Sequence, residues 1–163
     1  MEKQGNLNGR KVVDMVRRFL TEMGLPPEEQ RHSDRTVFTV AFDEGPADQG
    51  VAQVVENAER FVFHFIFPGY VPIERRPKVA EFIARANWHL IEGNFQLDFE
   101  TGALRFKVGI DFSSADFSEP FVRNAILDGM ETIETYAEGL TSVIKGGMEP
   151  KAAYQVSLRN DEG

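Results

Sequence analysis

The sequence predicts an α+β fold in which an antiparallel sheet carries helices packed on one face. Three observations lead to this class: apolar residues at helical spacing in three segments, alternating apolar residues in five others, and turn residues that divide those five into three and two. The predicted order is α-β-β-β-α-β-β-α. The 163 residues are expected to form a single domain, 1–163, with frayed tails at 1–7 and 157–163.

The first half of the chain is predicted to contain one helix and a three-stranded meander. Apolar residues recur every three or four positions over 8–23, and Gly24 ends this helix. The polar stretch 28–35 is interpreted as a linker. Alternating apolar residues then predict three strands, at 36–42, 51–56 and 61–67.

The third of these strands, FVFHFIF at 61–67, is apolar on both sides. Successive side chains of a strand point to opposite faces, so the four Phe residues share one face while Val62, His64 and Ile66 share the other. Such a strand is either central and covered on both sides, or its second face contacts another subunit.

The second half repeats the helix-then-strand pattern and ends in a long helix. Helical spacing covers 72–90, and a hairpin at Glu100-Thr101-Gly102 joins two alternating segments at 94–99 and 103–112. Ser118 is the predicted N-cap of a helix that reaches Lys145, because Gly146-Gly147 follows. The stretch MEPKAAYQ after it is expected to add only a short turn.

Composition excludes several classes of protein. The chain has no cysteine, so it has neither disulfides nor thiolate sites, and its net charge of -8 argues against direct binding to nucleic acid. No apolar run reaches the roughly 18 residues of a membrane helix, and the first residues do not form a signal peptide. These observations predict a cytoplasmic protein with no membrane partner.

The motifs of catalysis and cofactor binding are also missing. The sequence has no phosphate-binding glycine loop and no G-x-S-x-G, and the acidic turn at 43–50 lacks the Asp/Asn alternation of a calcium loop. We therefore predict no cofactor, no metal and no catalytic residues.

The sequence contains three histidines that could serve as site residues. His32 lies in the polar linker, and His64 is interpreted as a buried or interface residue of its strand. His89 and Glu92 have the i, i+3 spacing of a shared helix face, but Gly93 indicates that the helix ends near residue 90. His89 and Glu92 are therefore expected to diverge.

Four carboxylates near the predicted hairpin are candidates for a paired acid/base site. Such a site needs a concave, partly dry setting that separates the two pKa values. These side chains alternate outward from one-faced strands, which favours a solvated surface. They are Asp98, Glu100, Asp111 and Asp116.

The segment from Phe67 to about Ala153 resembles the YbjN family of bacterial proteins, which are named as sensory transduction regulators. The resemblance rests on VAEFIARAN (79–87), on GNFQLDFETGALRFKV (93–108), and on Gly146-Gly147 with Pro150 shortly after, in that order. It implies a fold similar to type III secretion chaperones, which are small acidic homodimers that bind other proteins and catalyse nothing. The resemblance carries no catalytic residues.

The sequence as a whole predicts a non-enzymatic protein-binding module: a chaperone-like or adaptor regulator in bacterial signalling or stress response, acting as a homodimer that binds a protein client. One alternative is a sensor domain with a small-molecule pocket between the helices and the Phe-lined sheet face. Another is a hydrolytic enzyme that uses His89 and nearby carboxylates. The predicted dimer contact is Phe82, Ala86 and Trp88. The predicted client contact is Val62, His64, Ile66 and Phe19.

Overall fold

The computed structural model describes residues 7–161, which form four helices and one six-stranded sheet. The helices are α1 (Leu7–Glu22), α2 (Arg76–His89, entered through a 3-10 turn at Ile73–Arg75), α3 (Glu119–Lys145) and α4 (Pro150–Asp161). The strands are β1 (Glu28–Arg31), β2 (Thr36–Ala41), β3 (Gln49–Val55), β4 (Arg60–Ile66), β5 (Asn94–Leu97) and β6 (Leu104–Asp111). The α+β class is confirmed. None of the helices within 7–161 has the length and apolar character needed to cross a membrane.

The sheet has the strand order β1-β2-β3-β4-β6-β5, and all neighbouring strands are antiparallel. β4 lies near the centre because the second group of strands joins the meander through β6, while β5 forms the far edge. The strand with two apolar faces therefore takes an interior position, between β3 and β6.

The helices cover one face of the sheet, and the phenylalanines point toward them. Phe61, Phe63 and Phe65 are completely buried. The long helix α3, about 40 Å from end to end, crosses this face so closely that a Cβ added at Gly129 would lie 2.4 Å from the ring of Phe65. α1 packs beside α3, α2 packs against α3 and contacts the sheet at β5, and α4 packs against α2 and α3.

The first strand was missed, because the interpretation of 28–35 as a linker is wrong for its first four residues. β1 pairs with β2 over its whole length, from Glu28 opposite Thr39 to Arg31 opposite Thr36. All four of its side chains are exposed, so no alternation of apolar residues marks it as a strand.

The prediction for the C-terminal tail is also wrong in part. Residues 150–161 form the full helix α4, in which Ala153 and Ser157 are completely buried, and Tyr154 is nearly so. The predicted frayed tail at 157–163 is therefore helical up to Asp161. Leu7 opens α1, and the remaining tail positions, 1–6 and 162–163, lie outside the described residues.

Asn87 and Gly93 join α2 to the edge strand β5. The side-chain amide of Asn87 donates to the carbonyl of Phe95 (3.1 Å) and accepts from its N–H (2.8 Å), so it occupies the free hydrogen-bonding edge at that residue. Gly93 has a positive φ of 73°, and a Cβ there would lie 2.5 Å from the Phe106 ring. This confirms that α2 ends at His89, close to the predicted position.

Candidate functional site

The face of the sheet opposite the helices is left uncovered by the elements that the structure describes. We call it the open face. Among the described residues no helix packs on it, and the strand registers show which side chains share it. Its central members, on β2, β3 and β4, are Val37, Thr39, Ala41, Gln49, Val51, Gln53, Val55, Arg60, Val62, His64 and Ile66. Its outer members, on β1, β5 and β6, are Glu28, Gln30, Asn94, Gln96, Arg105, Lys107, Gly109 and Asp111.

The centre of the open face is apolar. Val37, Val51, Val62 and Ile66 are half-buried by their neighbours on the sheet alone. They form an apolar strip that Gln49 and Gln53, opposite Ile66 and Val62, interrupt. Grouped apolar side chains on an uncovered sheet face are typical of a surface that meets another macromolecule. Their partial exposure contrasts with the complete burial of the phenylalanines on the same strands.

His64 lies in the middle of this strip, between Val51 on β3 and Lys107 on β6. Only 6% of its surface is exposed. Burial above all, together with the nearby positive charges of Arg105 and Lys107, lowers the pKa of His64 from 6.5 to about 4. The imidazole is therefore neutral at pH 7 and behaves as part of the apolar strip.

The charges of the open face are separated across the sheet. One row of paired residues spans all six strands in the order Glu28, Thr39, Val51, His64, Lys107, Asn94. This row has a carboxylate at one side, apolar and neutral groups in the middle, and an ammonium toward the other side. Arg105 increases the positive charge on β6.

The neighbouring polar groups of the open face are already partnered. The Nε of Arg105 donates to Oε1 of Gln96 at 2.7 Å, and Arg60 forms an ion pair with Asp111 at 2.7 Å. Of the charged groups on the row itself, neither Glu28 nor Lys107 forms an ion pair within the described part of the chain.

The structure brings three of the four predicted client-contact residues together. Val62, His64 and Ile66 alternate on the open face. Phe19 is the exception, and its prediction is corrected: it is 2% exposed, on the helix side, with the guanidinium carbon of Arg123 5.4 Å from its ring centre. Its side chain belongs to the packing between α1 and α3 and offers no surface to a client.

The structure also separates the residues of the predicted dimer contact, because two of them are buried and one is exposed. Phe82 and Ala86 are completely buried, and the Phe82 ring meets Tyr136 edge-on at 6.3 Å. Their helical stripe packs within the chain, so the prediction that Phe82 and Ala86 form a dimer contact is wrong. Trp88 is 85% exposed and remains available to a partner.

A cleft of about 600 Å³ lies between α3 and β6, and the segment after α2 forms part of its rim. Phe106, Val108 and Tyr136 contribute apolar surface. His89 and Glu92 both line the cleft. The other carboxylates at the cleft are Asp128 and Glu131, on α3.

The hairpin carboxylates do not join His89. Asp98 accepts hydrogen bonds from the Thr101 hydroxyl (2.8 Å) and the Glu100 N–H (2.9 Å), and these bonds lower its pKa. Asp111 accepts from Ser113, both hydroxyl and N–H, which likewise lowers its pKa. Both carboxylates stabilise turns, and neither bonds to His89 in the part of the chain that the structure describes.

The remaining candidates lie at the surface. His32, in the turn after β1, and Glu100 and Asp116 are all exposed. Across residues 7–161, no three His, Asp or Glu side chains are grouped closely enough to hold a metal ion. What sequence reasoning missed is the contribution of Glu28, Val51 and Lys107 to the open face. The alternation within each strand indicated their side, but only the register shows that they form one row with His64.

Comparison with known proteins identifies the fold. The crystal structure of YbjN from E. coli, provisionally described as a transcription regulator, superposes with a TM-score of 0.56 over 82% of this chain and 90% of that one, at 12% sequence identity. No protein-family model matches the sequence, and no curated protein is similar to it. At 12% identity the likeness establishes the fold alone, and the resemblance to YbjN seen in the sequence is confirmed at that level. The similarity to type III secretion chaperones stays a prediction.

Proposed function

We propose that the protein is a non-catalytic regulatory module that acts by binding another protein through the open face. The observation that carries this proposal is the apolar strip of Val51, Val62 and Ile66 around a neutral, buried His64, on a face that no described helix covers. A protein partner that packed on this face would bury the apolar side chains that the chain itself buries only in part.

The fold likeness supports the regulatory part of the proposal. YbjN is provisionally described as a transcription regulator. A net charge of -8 makes direct contact with nucleic acid unfavourable, so regulation through a protein client fits this chain better. Signalling and stress response in bacteria are the settings that the family resemblance suggests.

Strand addition is a less favourable binding mode than face packing. At β5, Asn87 already bonds to both backbone groups of Phe95. At β1, the exposed side chains Glu28, Glu29 and Arg31 charge the free edge, a common protection against pairing with another strand. The client is therefore expected to lie across the face of the sheet, with an apolar surface against Val62 and Ile66.

The proposal is tested with Val62→Glu, which places a charge in the middle of the apolar strip. Proteins captured from extracts of the source organism are quantified for wild type and variant, and the most enriched partner is purified for titration calorimetry. We expect Val62→Glu to weaken its binding at least about tenfold, roughly 1.4 kcal/mol.

The matched control is Leu127→Glu, which places the same charge at an exposed apolar residue of α3, on the helix side. It should leave binding unchanged, and circular dichroism must show that both variants remain folded. If Val62→Glu binds the partner as wild type does, or Leu127→Glu alone loses it, the open face is not the binding surface.

A second candidate function, a small-molecule sensor, is favoured by the cleft between α3 and β6. Its volume, about 600 Å³, and its mixture of apolar surface with polar residues are typical of ligand sites. The test is a thermal-shift screen with a metabolite library, repeated with Thr135→Phe, which fills the cleft. A compound that raises the melting temperature of wild type but not of Thr135→Phe would support this function.

A further inference from the structure

We propose that the groove between the C-terminal half of α3 and the loop after β4 binds a medium-chain carboxylate, a straight aliphatic chain of about eight to ten carbons with one anionic head. The groove has a volume of about 270 Å³ and lies on the helix side of the sheet. It shares no lining residue with the cleft between α3 and β6. The inference adds a ligand site to the proposed protein-binding surface and does not depend on that surface.

The walls of the groove are mainly apolar. Leu140 of α3 and Leu104 at the start of β6 contribute buried surface, and Val71 of the loop is buried as well. Phe67 and Ile144 are only half-buried, so the chain covers this surface in part. An aliphatic ligand in the groove would remove the rest of it from water, which is favourable in proportion to the apolar area covered.

Backbone hydrogen bonds hold the loop that forms one wall. The N–H of Phe67 donates to the carbonyl of Leu104 (3.1 Å), and the N–H of Val71 donates to the carbonyl of Gly102 (2.8 Å). The guanidinium of Arg76 donates to the carbonyl of Val71 (3.1 Å). The groove is therefore formed before a ligand arrives, as is usual for small-molecule sites.

The dimensions of the groove select a linear ligand of medium length. From Ala137 to Lys145, both of which line the groove, the helix advances about 12 Å at about 1.5 Å per residue. An extended chain advances about 1.2 Å per bond, so about ten bonds match this length. The volume agrees, because 270 Å³ holds roughly nine groups of the size of a water molecule or a methylene.

Two cations at one end of the groove determine the charge of the ligand's head. Lys145 lines the groove, and the guanidinium of Arg75 lies so close to the next residue, Gly146, that a Cβ added there would collide with it. Neither Lys145 nor Arg75 forms an ion pair with any residue between 7 and 161. A carboxylate at this end would accept charge-assisted hydrogen bonds from both side chains.

The end of α3 does not need these cations as caps, because the backbone already closes its last turn. The N–H of Gly146 donates to the carbonyl of Val143 (3.2 Å), and the N–H of Gly147 donates to that of Ser142 (2.8 Å). This glycine cap satisfies carbonyls that lysine or arginine side chains often bond at the C-terminus of a helix. Both cations therefore keep donors for a ligand.

The distribution of carboxylates also favours an anion in this groove. No Asp or Glu is among the described residues that line it, although the chain has a net charge of -8. Glu134 and Glu138 line a neighbouring depression on α3, while Glu92, Asp128 and Glu131 line the cleft between α3 and β6. An anion therefore meets less repulsion in the groove than in the cleft.

The experiment is titration calorimetry of the full chain with hexanoate, octanoate, decanoate and dodecanoate, at ligand concentrations up to about 5 mM, which detect millimolar binding. A single site should be occupied. The affinity should rise roughly threefold to fourfold with each added methylene, and it should stop rising at about ten carbons, when the groove is full. 1-Octanol, which has no charge, should bind at least about threefold more weakly than octanoate, and octylammonium more weakly still.

Two kinds of variant separate the apolar wall from the charged end. Ala137→Phe fills the groove and should weaken octanoate more than about tenfold. Thr141→Phe, at an exposed position of the same wall, should act alike and serves if Ala137→Phe does not fold. Lys145→Gln and Arg75→Gln should each weaken octanoate about threefold to fivefold and leave 1-octanol unchanged, because only the carboxylate uses the cations.

The matched controls change the same chemistry elsewhere. Thr135→Phe fills the other cleft, and Lys151→Gln removes a lysine charge from an exposed position of α4. Neither should change the affinity for octanoate. Val62→Glu on the open face should also leave it unchanged, so the ligand site and the protein-binding surface fail or stand in different variants. Circular dichroism must show that every variant used is folded.

The inference is overturned if no carboxylate of the series binds, if the affinity does not depend on chain length, or if octylammonium binds as tightly as octanoate. It is also overturned if folded Ala137→Phe or Thr141→Phe binds octanoate as wild type does. Loss of binding in Thr135→Phe alone would place the ligand in the cleft between α3 and β6 instead and would equally refute the site.

Discussion

The two faces of β4 are both largely apolar, but they differ in how far they are buried within the chain. On one face, Phe61, Phe63 and Phe65 lie under α3 and are fully buried. On the other, Val62 and Ile66 remain half-exposed around His64. One strand therefore contributes both to the core of this chain and to a surface that a partner would complete.

The difference between the faces also appears in the residue types. Aromatic rings fill the space under the helices, where Phe63 and Phe65 meet at 4.8 Å and Phe95 and Phe106 at the same distance. The open face instead carries valines and isoleucine, whose short branched side chains form a flatter surface. A flat apolar surface suits packing against another molecule, whereas interlocking rings suit a permanent core.

The largest expected effect comes from comparing adjacent residues on the two faces. Phe65→Ala should reduce the free energy of unfolding by about 3–5 kcal/mol, because it leaves a cavity under α3. Ile66→Ala, one residue along on the open face, should cost less than about 1.5 kcal/mol, because its side chain is already partly in water. Urea unfolding of both variants measures the difference.

An equal loss in the two variants would contradict the distinction between the faces. The comparison is made at a protein concentration low enough to exclude self-association, so that only contacts within one chain contribute. Circular dichroism should confirm that both variants keep the secondary structure of the wild type.

The fold was predictable wherever burial alternates along a segment. β2, β3 and β6 bury most of the alternate residues that face the helices, and this pattern identifies them, whereas β4 is marked by a run of apolar residues on both faces. β1 shows no such pattern because it is an exposed edge, and its place is set by backbone pairing with β2. α4 was underestimated because its buried positions, Ala153 and Ser157, are small or polar.

The open face was only partly predictable for a different reason. The sequence indicated that Val62, His64 and Ile66 share a side, since this follows from one strand. It did not show that Glu28 and Lys107 lie on the same row, because residues so far apart in the chain meet only through the register of the whole sheet. The sequence also did not show whether Phe19 is buried or exposed, because periodicity only places it on the apolar face of its helix.

A smaller effect is expected from acid, and it tests the burial of His64. Its pKa is about 4 in the folded chain and 6.5 in the unfolded reference, so between these values the unfolded state binds more protons. The contribution of His64 to stability is therefore complete above pH 6.5 and is lost as the pH falls toward 4. It amounts to between about 1 and 3 kcal/mol, depending on how far water reaches the ring.

The comparison variant for this prediction is His64→Leu, which keeps an apolar side chain and removes the titration. Stability is measured by urea unfolding between pH 7.5 and 4.5 for both proteins. Carboxylates titrate equally in the two, so the difference between their pH profiles isolates His64. Parallel profiles would mean that the imidazole is not desolvated on the open face.

The smallest effect comes from adding one methyl group to a glycine on each side of the sheet. At Gly129 the new Cβ would lie 2.4 Å from the Phe65 ring, whereas at Gly109, on the open face, the nearest atom is Cε of Lys107 at 3.9 Å. Gly129→Ala gains up to about 1 kcal/mol in helix propensity but overpacks the core by about 1–3 kcal/mol, so a net loss of roughly 1–2 kcal/mol is expected. Gly109→Ala should be neutral or slightly stabilising, because alanine restricts the unfolded chain and meets open space. Melting curves of the two variants decide the matter: if Gly109→Ala is the more damaging substitution, the open face is covered within the chain itself, and the surface proposed for partners does not exist.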